Sequence, residues 1–296
     1  MKKISLHLWY DKEAKEAAAM YTSLFPHSRI EGVTTLEGTP SGTVDIVNIG
    51  LPGLDCTLLS AGPYFKFTPA ISLMVRCESV DEVNLLWRVL SEGGSTLMEL
   101  GPYPFSERYG WLTDRFGLSW QLMYTSGATI DQKITPSLLF TGAVAGKTEE
   151  AIMFYASLFA NSHVDTDRIA RYAPGEDPEQ AGTVKYAPFS LFGHRFVAMD
   201  SAYPHKFTFN EAVSLMVHCD TQEEIDYFWD KLSAVPEAEQ CGWLKDKYGI
   251  SWQIVPVDMD EIMGGDSARR ARVTQAFLKM KKFDVAELRR VAVEQL

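Results

Sequence analysis

The chain has 296 residues, of which 46% are hydrophobic and 23% charged, and a formal net charge of −11 at pH 7. That length suits about two domains of ordinary size, and the balance is that of a folded globular protein, not a disordered or membrane-spanning one. The acidic surplus opposes a nucleic-acid duplex or an anionic membrane as partner, because phosphate binding needs a dense basic surface.

The first element in chain order is the run Ile4 to Tyr10, too short for a helix and apolar enough for a strand buried on both faces. It is also too short for a signal peptide and runs into Asp11-Lys12-Glu13 without a small-residue cleavage site. No apolar run reaches the length of a transmembrane helix, so the chain reads as cytoplasmic. Ala14, Ala17, Ala18, Tyr21 and Leu24-Phe25 then fall at helical spacing, and Pro26 stops the segment. Strands follow near Ile30 to Leu36, at Val44 to Leu51 and at Cys56 to Ser60, giving a first βαβββ module. The order repeats: strand Ala70 to Cys77, helix Val80 to Ser91, then strands near Thr96 to Leu100, at Trp111 and at Leu118 to Tyr124.

After Ser126-Gly127-Ala128, read as a linker, the pattern starts again. Gly110-Trp111-Leu112, Asp114 and Ser119-Trp120-Gln121 recur as Gly242-Trp243-Leu244, Asp246 and Ser251-Trp252-Gln253. Tyr21 to Phe25 recurs as Tyr155 to Phe159 at nearly the same offset, which means an internal duplication. The predicted division is a first domain over 1–126, a linker over 127–133, a second domain over 134–257 with helices at Thr148 to Phe159 and Gln222 to Ser233, and a helical extension over 258–296. In the extension, Asp266 or Ser267 can cap a helix with Val273, Phe277 and Met280 on one stripe, and Asp284 with Glu287 forms a capping pattern before a second. Its basic residues read as a solvated helix face. Cys56, Cys77, Cys219 and Cys241 form no Cys-x-x-Cys pair and read as reduced.

Leu8-Trp9-Tyr10-Asp11, Tyr21-x-Ser23-Leu24-Phe25, the segment Phe65 to Ser72 and Gly117-Leu118-Ser119-Trp120-Gln121 resemble the PhnB-like branch of the vicinal-oxygen-chelate superfamily, often labelled by similarity as demethylubiquinone methyltransferase. Copy two matches through Cys241 to Pro256, and Phe277 to Asp284 looks like the branch's C-terminal extension. The resemblance implies an α+β fold in which each copy curls eight strands into a U-shaped sheet, with helices on the convex side and a cleft for a small organic molecule. Single-copy relatives are expected to pair as homodimers, so the two copies here are expected to form an intramolecular pseudo-dimer, the chain being a monomer or homodimer.

The superfamily's enzymes hold a divalent metal through residues of the first, fifth and eighth strands. Carried onto this sequence, those positions fall on Leu6, Ala70 and Gln121, and in copy two on Pro136, Ala212 and Gln253. Leu, Pro and Ala offer a cation nothing and an amide is a weak ligand, so no metal and no other cofactor is expected in either copy. The rival reading is a metal-dependent lyase, isomerase or dioxygenase with displaced ligands such as His7 or Glu211. Strand parity places Ser72, Ser119 and Gln121 in the cleft with Leu6, Leu8 and Tyr10, and Ser214, Ser251 and Gln253 with Leu138 and Phe140. It sends His7 toward the helices. Such a lining suits an apolar or aromatic ligand steered by a few hydrogen bonds, although the glutamines alternatively just satisfy buried backbone groups. Lys66 and Lys206, each before Phe-Thr, either meet an anionic substrate or are solvated loop charges. No Gly-x-Ser-x-Gly elbow and no evident Ser-His or Cys-His partnership is present, so no catalytic residue is assigned. A nucleotide-type methyl-donor site lacks its glycine-rich strand-to-helix turn, which leaves the methyltransferase label without support. A third reading has the clefts filled by the chain's own side chains.

Overall fold

Local sequence dictates where the helices start. In the computed structural model, which describes residues 3–127 and 130–294, Ser79 and Thr221 accept from the backbone N–H of Glu82 and Glu224, and those glutamates reach back to the N–H of Glu78 and Asp220. These reciprocal caps open α2 (Val80–Leu90) and α4 (Gln222–Leu232). Asp266 and Asp284 cap α6 (Ser267–Phe277) and α7 (Val285–Val293) in one direction only, accepting from the N–H groups of Arg269 and Glu287. Of the predicted linker, Ala128 and Thr129 lie outside the described residues.

The first copy supplies β1 (Ile4–Tyr10), α1 (Ala14–Leu24), β2 (Arg29–Thr39), β3 (Gly42–Leu51), β4 (Leu54–Ser60), β5 (Ile71–Cys77), α2, β6 (Ser95–Tyr103), β7 (Ser106–Thr113) and β8 (Ser119–Tyr124). The second supplies β9 (Ile134–Phe140), α3 (Thr148–Leu158), β10 (His163–Val164), β11 (Ala170–Arg171), β12 (Val184–Leu191), β13 (His194–Asp200), β14 (Val213–Cys219), α4, β15 (Trp243–Lys245) and β16 (Ser251–Pro256). The tail adds α5 (Met259–Met263), α6 and α7. No helix among the described residues is long and apolar enough to cross a membrane.

The fold is α+β, as expected, but the modules are exchanged between the sheets. A seven-stranded sheet runs β15-β16-β14-β1-β4-β3-β2, and a nine-stranded one runs β10-β12-β13-β9-β5-β8-β7-β6, with β11 beside β12. Each sheet thus joins the first module of one copy to the second module of the other, where sequence reasoning had each copy close its own. The junctions are the antiparallel pairs β1–β14 and β5–β9. Equivalent hydrogen bonds, Trp9 N–H to Ala212 O and Leu139 N–H to Ala70 O, both 2.8 Å, mark a pseudo-two-fold relation between the copies. Helices α1 and α4 cover the outer face of the seven-stranded sheet, and α2 and α3 that of the nine-stranded one. One continuous apolar core runs beneath all four.

Copy two departs from copy one where the latter builds the β6–β7 hairpin. It retains only the three-residue β15 after a short 3₁₀ turn at Pro236–Ala238. The tail occupies that edge: Cys241 N–H bonds Met280 O at 2.8 Å and Gly242 N–H bonds Lys281 O at 2.7 Å. Gly242 has φ +83°, and a Cβ there would lie 2.6 Å from Phe283 Cε2 and 3.1 Å from Ile254 O. Gly242→Ala is therefore expected to cost about 2–4 kcal/mol, combining left-handed backbone strain with overpacking. Urea unfolding checks this, and a loss under about 0.5 kcal/mol, the level of an ordinary surface substitution, would show that the tail's seat is soft.

Candidate functional site

The motif that repeats most visibly lies on the outer, helix-covered side. Asp114 accepts from Tyr21 OH (2.7 Å), Trp120 Nε1 (2.9 Å), Phe116 N (2.9 Å) and Leu118 N (3.1 Å). Asp246 does the same with Tyr155, Trp252, Tyr248 and Ile250. These carboxylates hold a tight turn and tie a helix of one sheet to a strand of the other. Burial pushes both carboxyl pKa values up, and the four donors offset this only in part.

The chemistry-bearing surfaces are the inner faces. On the nine-stranded sheet, β5 pairs with β8 (Ser72 with Ser119, Met74 with Gln121) and with β9 (Ser72 with Ser137, Met74 with Thr135). Paired residues project to the same side, so these six share the inner face with Trp111 and Tyr109 of β7 and Val197 and Met199 of β13. Gln121, 3% exposed, is the hub. Its Nε2 donates to Ser72 Oγ at 2.7 Å and reaches Ser137 Oγ at 3.5 Å, while its Oε1 accepts from Tyr109 OH at 2.8 Å. Trp111 Nε1 donates to Ser119 Oγ at 2.8 Å. Tyr109 also packs edge-on against Phe105, 60% exposed, and against Tyr103. Burial raises the Tyr109 hydroxyl pKa, so it stays a neutral donor.

The seven-stranded sheet repeats part of this: Gln253 Nε2 donates to Ser214 Oγ at 2.9 Å, and Ser251 is buried beside Ser214. Its inner face also carries His7, paired with Ser214 and Thr57, and Trp9, paired with Leu59. Their counterparts in the repeat are the smaller Ser137 and Leu139. The tail covers this face. Met216 and Val255 cluster with Ile262, Val273 and Phe283, and Met263 and Phe277 pack, as Trp9, Ile46 and Leu59 do, against Leu36, Val44 and Ala61. Among the described residues no comparable helical layer contacts the inner face of the nine-stranded sheet.

The parity expected for the first strand of each copy is reversed. Leu6, Leu8 and Tyr10 face the helices, with Tyr10 OH bonded to Tyr21 OH at 3.2 Å, and Leu138 and Phe140 likewise lie in the helix-side core. Nearly every residue of β1 and all of β9 are buried, so no alternation of polar and apolar residues marks the inner side; pairing with β14 and β5 sets it. Ser72, Ser119, Gln121, Ser214, Ser251 and Gln253 do occupy inner faces. Lys66 and Lys206 are exposed in the loops before β5 and β14, where Lys66 O accepts from Asn210 Nδ2 and Thr68 Oγ1 donates to Thr208 O. Tyr109, Thr135 and Ser137 were missed; aligning Ser137 with His7 in the repeat was the available signal.

Neither inner face suits the superfamily's divalent metal. The donors around Gln121 are hydroxyls and an amide, all neutral, which cannot compensate for desolvating a dication. His7 brings one imidazole to the other face, but Glu211 is paired with Lys245 at 2.5 Å. Among the described residues no three His, Cys, Asp or Glu side chains converge.

Paired βαβββ modules, sheets assembled across a pseudo-two-fold and inner faces bearing a glutamine on the closing strand define a tandem protein of the vicinal-oxygen-chelate, glyoxalase-like class. Within it, the chain belongs to the family described as 3-demethylubiquinone-9 3-methyltransferase, which matches residues 2–123 and again 132–255. A PhnB protein from Bacillus cereus is 35% identical over 42% of this chain and 100% of its own, with a TM-score of 0.40. A candidate dioxygenase from Bacillus subtilis shares the fold over 96% of this chain and 99% of its own, at 12% identity and a TM-score of 0.51. A glyoxalase I variant from Zea mays covers 86% of this chain and 94% of its own, at 13% identity and a TM-score of 0.49. No curated protein matches the chain.

Proposed function

We propose that the chain binds a small, neutral, largely aromatic or apolar molecule on the inner face of the nine-stranded sheet. The observation that carries this reading is the Gln121, Ser72, Ser137 and Tyr109 network, set among Met74, Met199 and Trp111 on the inner face that no helical layer covers. Uncharged donors and acceptors select a ligand by hydrogen-bond pattern, and the apolar surround supplies affinity. None of these groups exchanges a proton near neutral pH, which favours binding over acid–base catalysis. Methyl transfer finds no support here. Because β1–β14 and β5–β9 already join the copies, a monomer suffices for this site, and a cytoplasmic location fits the reduced cysteines.

Thermal-shift screening with neutral phenols, quinones and heteroaromatics tests the reading. A ligand at a hundred times its dissociation constant adds about 2.7 kcal/mol of stability. Gln121→Leu is expected to weaken such a ligand at least about tenfold, by removing roughly 1.4 kcal/mol of hydrogen bonding, and Gln253→Leu to leave it unchanged. The opposite sensitivity, or binding that requires an added divalent ion, would overturn the proposal.

A further inference from the structure

The basic residues of the tail do not all have counter-charges. Lys281 pairs with Glu239, Lys282 with Asp226, Arg289 with Asp258, and Arg290 with both Glu287 and Glu294. Arg272 and Lys279 differ: among the described residues Lys279 meets no carboxylate, and Arg272 bonds the carbonyl of Val291, Nε to O at 3.3 Å. Both line a groove of about 630 Å³ between α6 and α7, together with Ala276, Met280 and Val291. Lys279 lies in the turn that ends α6, where the N–H groups of Leu278 and Lys279 still bond Thr274 O and Ala276 O. The two cations are therefore two turns apart on one side of the helix, roughly 10 Å, with Ala276 between them.

A surface of the opposite character lies on α4. Its solvent side presents Glu223, Tyr227 and Asp230 at i, i+4 and i+7, a single stripe of the helix. Tyr227 is 41% exposed, a large ring facing water. Glu223 is bonded at its own helix end, by its N–H and by Thr221, and Asp230, with its side chain 72% exposed, has Lys282 Nζ at 3.9 Å. No residue of α4 lines the α6–α7 groove of its own chain.

We infer that the chain forms a two-fold dimer in which the Glu223, Tyr227 and Asp230 stripe of each copy lies in the α6–α7 groove of the other. The spacings match: carboxylates seven residues apart meet cations seven residues apart in either helix direction, and the large Tyr227 falls over the small Ala276. Gln222 at the start of α4 holds Phe283 O and Val285 N, both at 2.9 Å, so stripe and groove are fixed relative to each other. One two-fold axis then satisfies both surfaces of both copies and closes the assembly. Exposed ion pairs contribute little singly, but symmetry makes four of them around two tyrosine anchors. The net charge of −11 per chain opposes association, yet salt screens it beyond roughly 8 Å, whereas these pairs are in contact. The site proposed on the nine-stranded sheet stands without the dimer, since a monomer completes it.

Sedimentation velocity over a dilution series of the full chain is the test, and the parent chain is expected to show a reversible equilibrium of monomer and dimer. Reversing the groove, with Arg272→Glu and Lys279→Glu, or the stripe, with Glu223→Lys and Asp230→Lys, should raise the dissociation constant at least about thirtyfold with the far-ultraviolet dichroism unchanged. Mixed in equal amounts, the two reversed variants should pair with each other, because each then meets an opposite charge on both of its surfaces. Tyr227→Ala should weaken the parent dimer at least about tenfold. A parent chain that is monomeric at every concentration, a dimer indifferent to both reversals, folded variants that fail to pair when mixed, or a ladder of larger species in place of a dimer would each overturn the inference.

Discussion

Replacing Asp246 with alanine is expected to lower the unfolding free energy by about 3–5 kcal/mol, because it strips one acceptor from four buried donors. Tyr155 OH at 2.6 Å, Trp252 Nε1 at 2.8 Å and the backbone N–H groups of Tyr248 (2.8 Å) and Ile250 (3.0 Å) converge on the one carboxylate. The Trp252 and Tyr155 side chains are fully buried, so water cannot replace the lost acceptor without opening the core. Relief of the carboxylate's own desolvation offsets part of the loss. Asp246→Asn restores a carbonyl acceptor but brings an amide donor into a cage of donors, so it should recover a minority of the stability. Asp114→Ala should behave alike in the first copy, since Tyr21 and Trp120 occupy the same roles. Urea midpoints and calorimetry decide the matter. A loss below about 1 kcal/mol, that of a single ordinary hydrogen bond, would mean the four contacts do not act as a unit.

The pH-independent part of this architecture was the part most legible in the sequence. Helical spacing in Ala14 to Leu24, the Asp266 and Asp284 caps and the Ser-Trp-Gln repeats are local signals, and each corresponds to an element of the structure. What escaped depends on contacts distant in the chain. Leu6 and His7 exchange faces because only the pairing of β1 with β14, some two hundred residues on, decides which side looks inward. The exchange of modules between sheets is likewise a choice between two closures with near-identical local sequence. The tail's place on the β15 edge follows from a missing hairpin, and a deletion displays no residues from which its replacement can be read. The repeated Asp was visible, but its full role was not, because one of the four donors it gathers, a tyrosine hydroxyl, comes from a helix some ninety residues away.

Acidification from pH 7 to pH 5 is expected to remove about 4 kcal/mol of stability through His7 and His218 alone. Burial pushes the His7 pKa down to about 3 and that of His218 to about 4, against 6.5 in an unfolded chain. The unfolded state therefore takes up protons that the folded state refuses, and stability is full above pH 6.5 and is lost as pH falls toward the folded values. At pH 5 each histidine contributes a penalty of about 2 kcal/mol, at 1.36 kcal/mol per pH step. His218 sits 2.8 Å through Nε2 from Ser5 Oγ, with Asp55 favouring and Lys3 opposing a positive charge on it; His7 has Trp243 on one side and an unpaired nitrogen on the other. Asp114 and Asp246 act in the opposite sense, since a raised carboxyl pKa favours the folded state as pH falls. Their contribution develops as pH falls from the raised folded values toward the ordinary 3.8. Urea titrations of the parent chain, His7→Phe and His218→Gln at both pH values separate the contributions. Each substitution should cut the pH-dependent loss by about half, whatever it does to stability at pH 7. A parent chain equally stable at pH 5 and pH 7 would show that water or a proton acceptor reaches these rings.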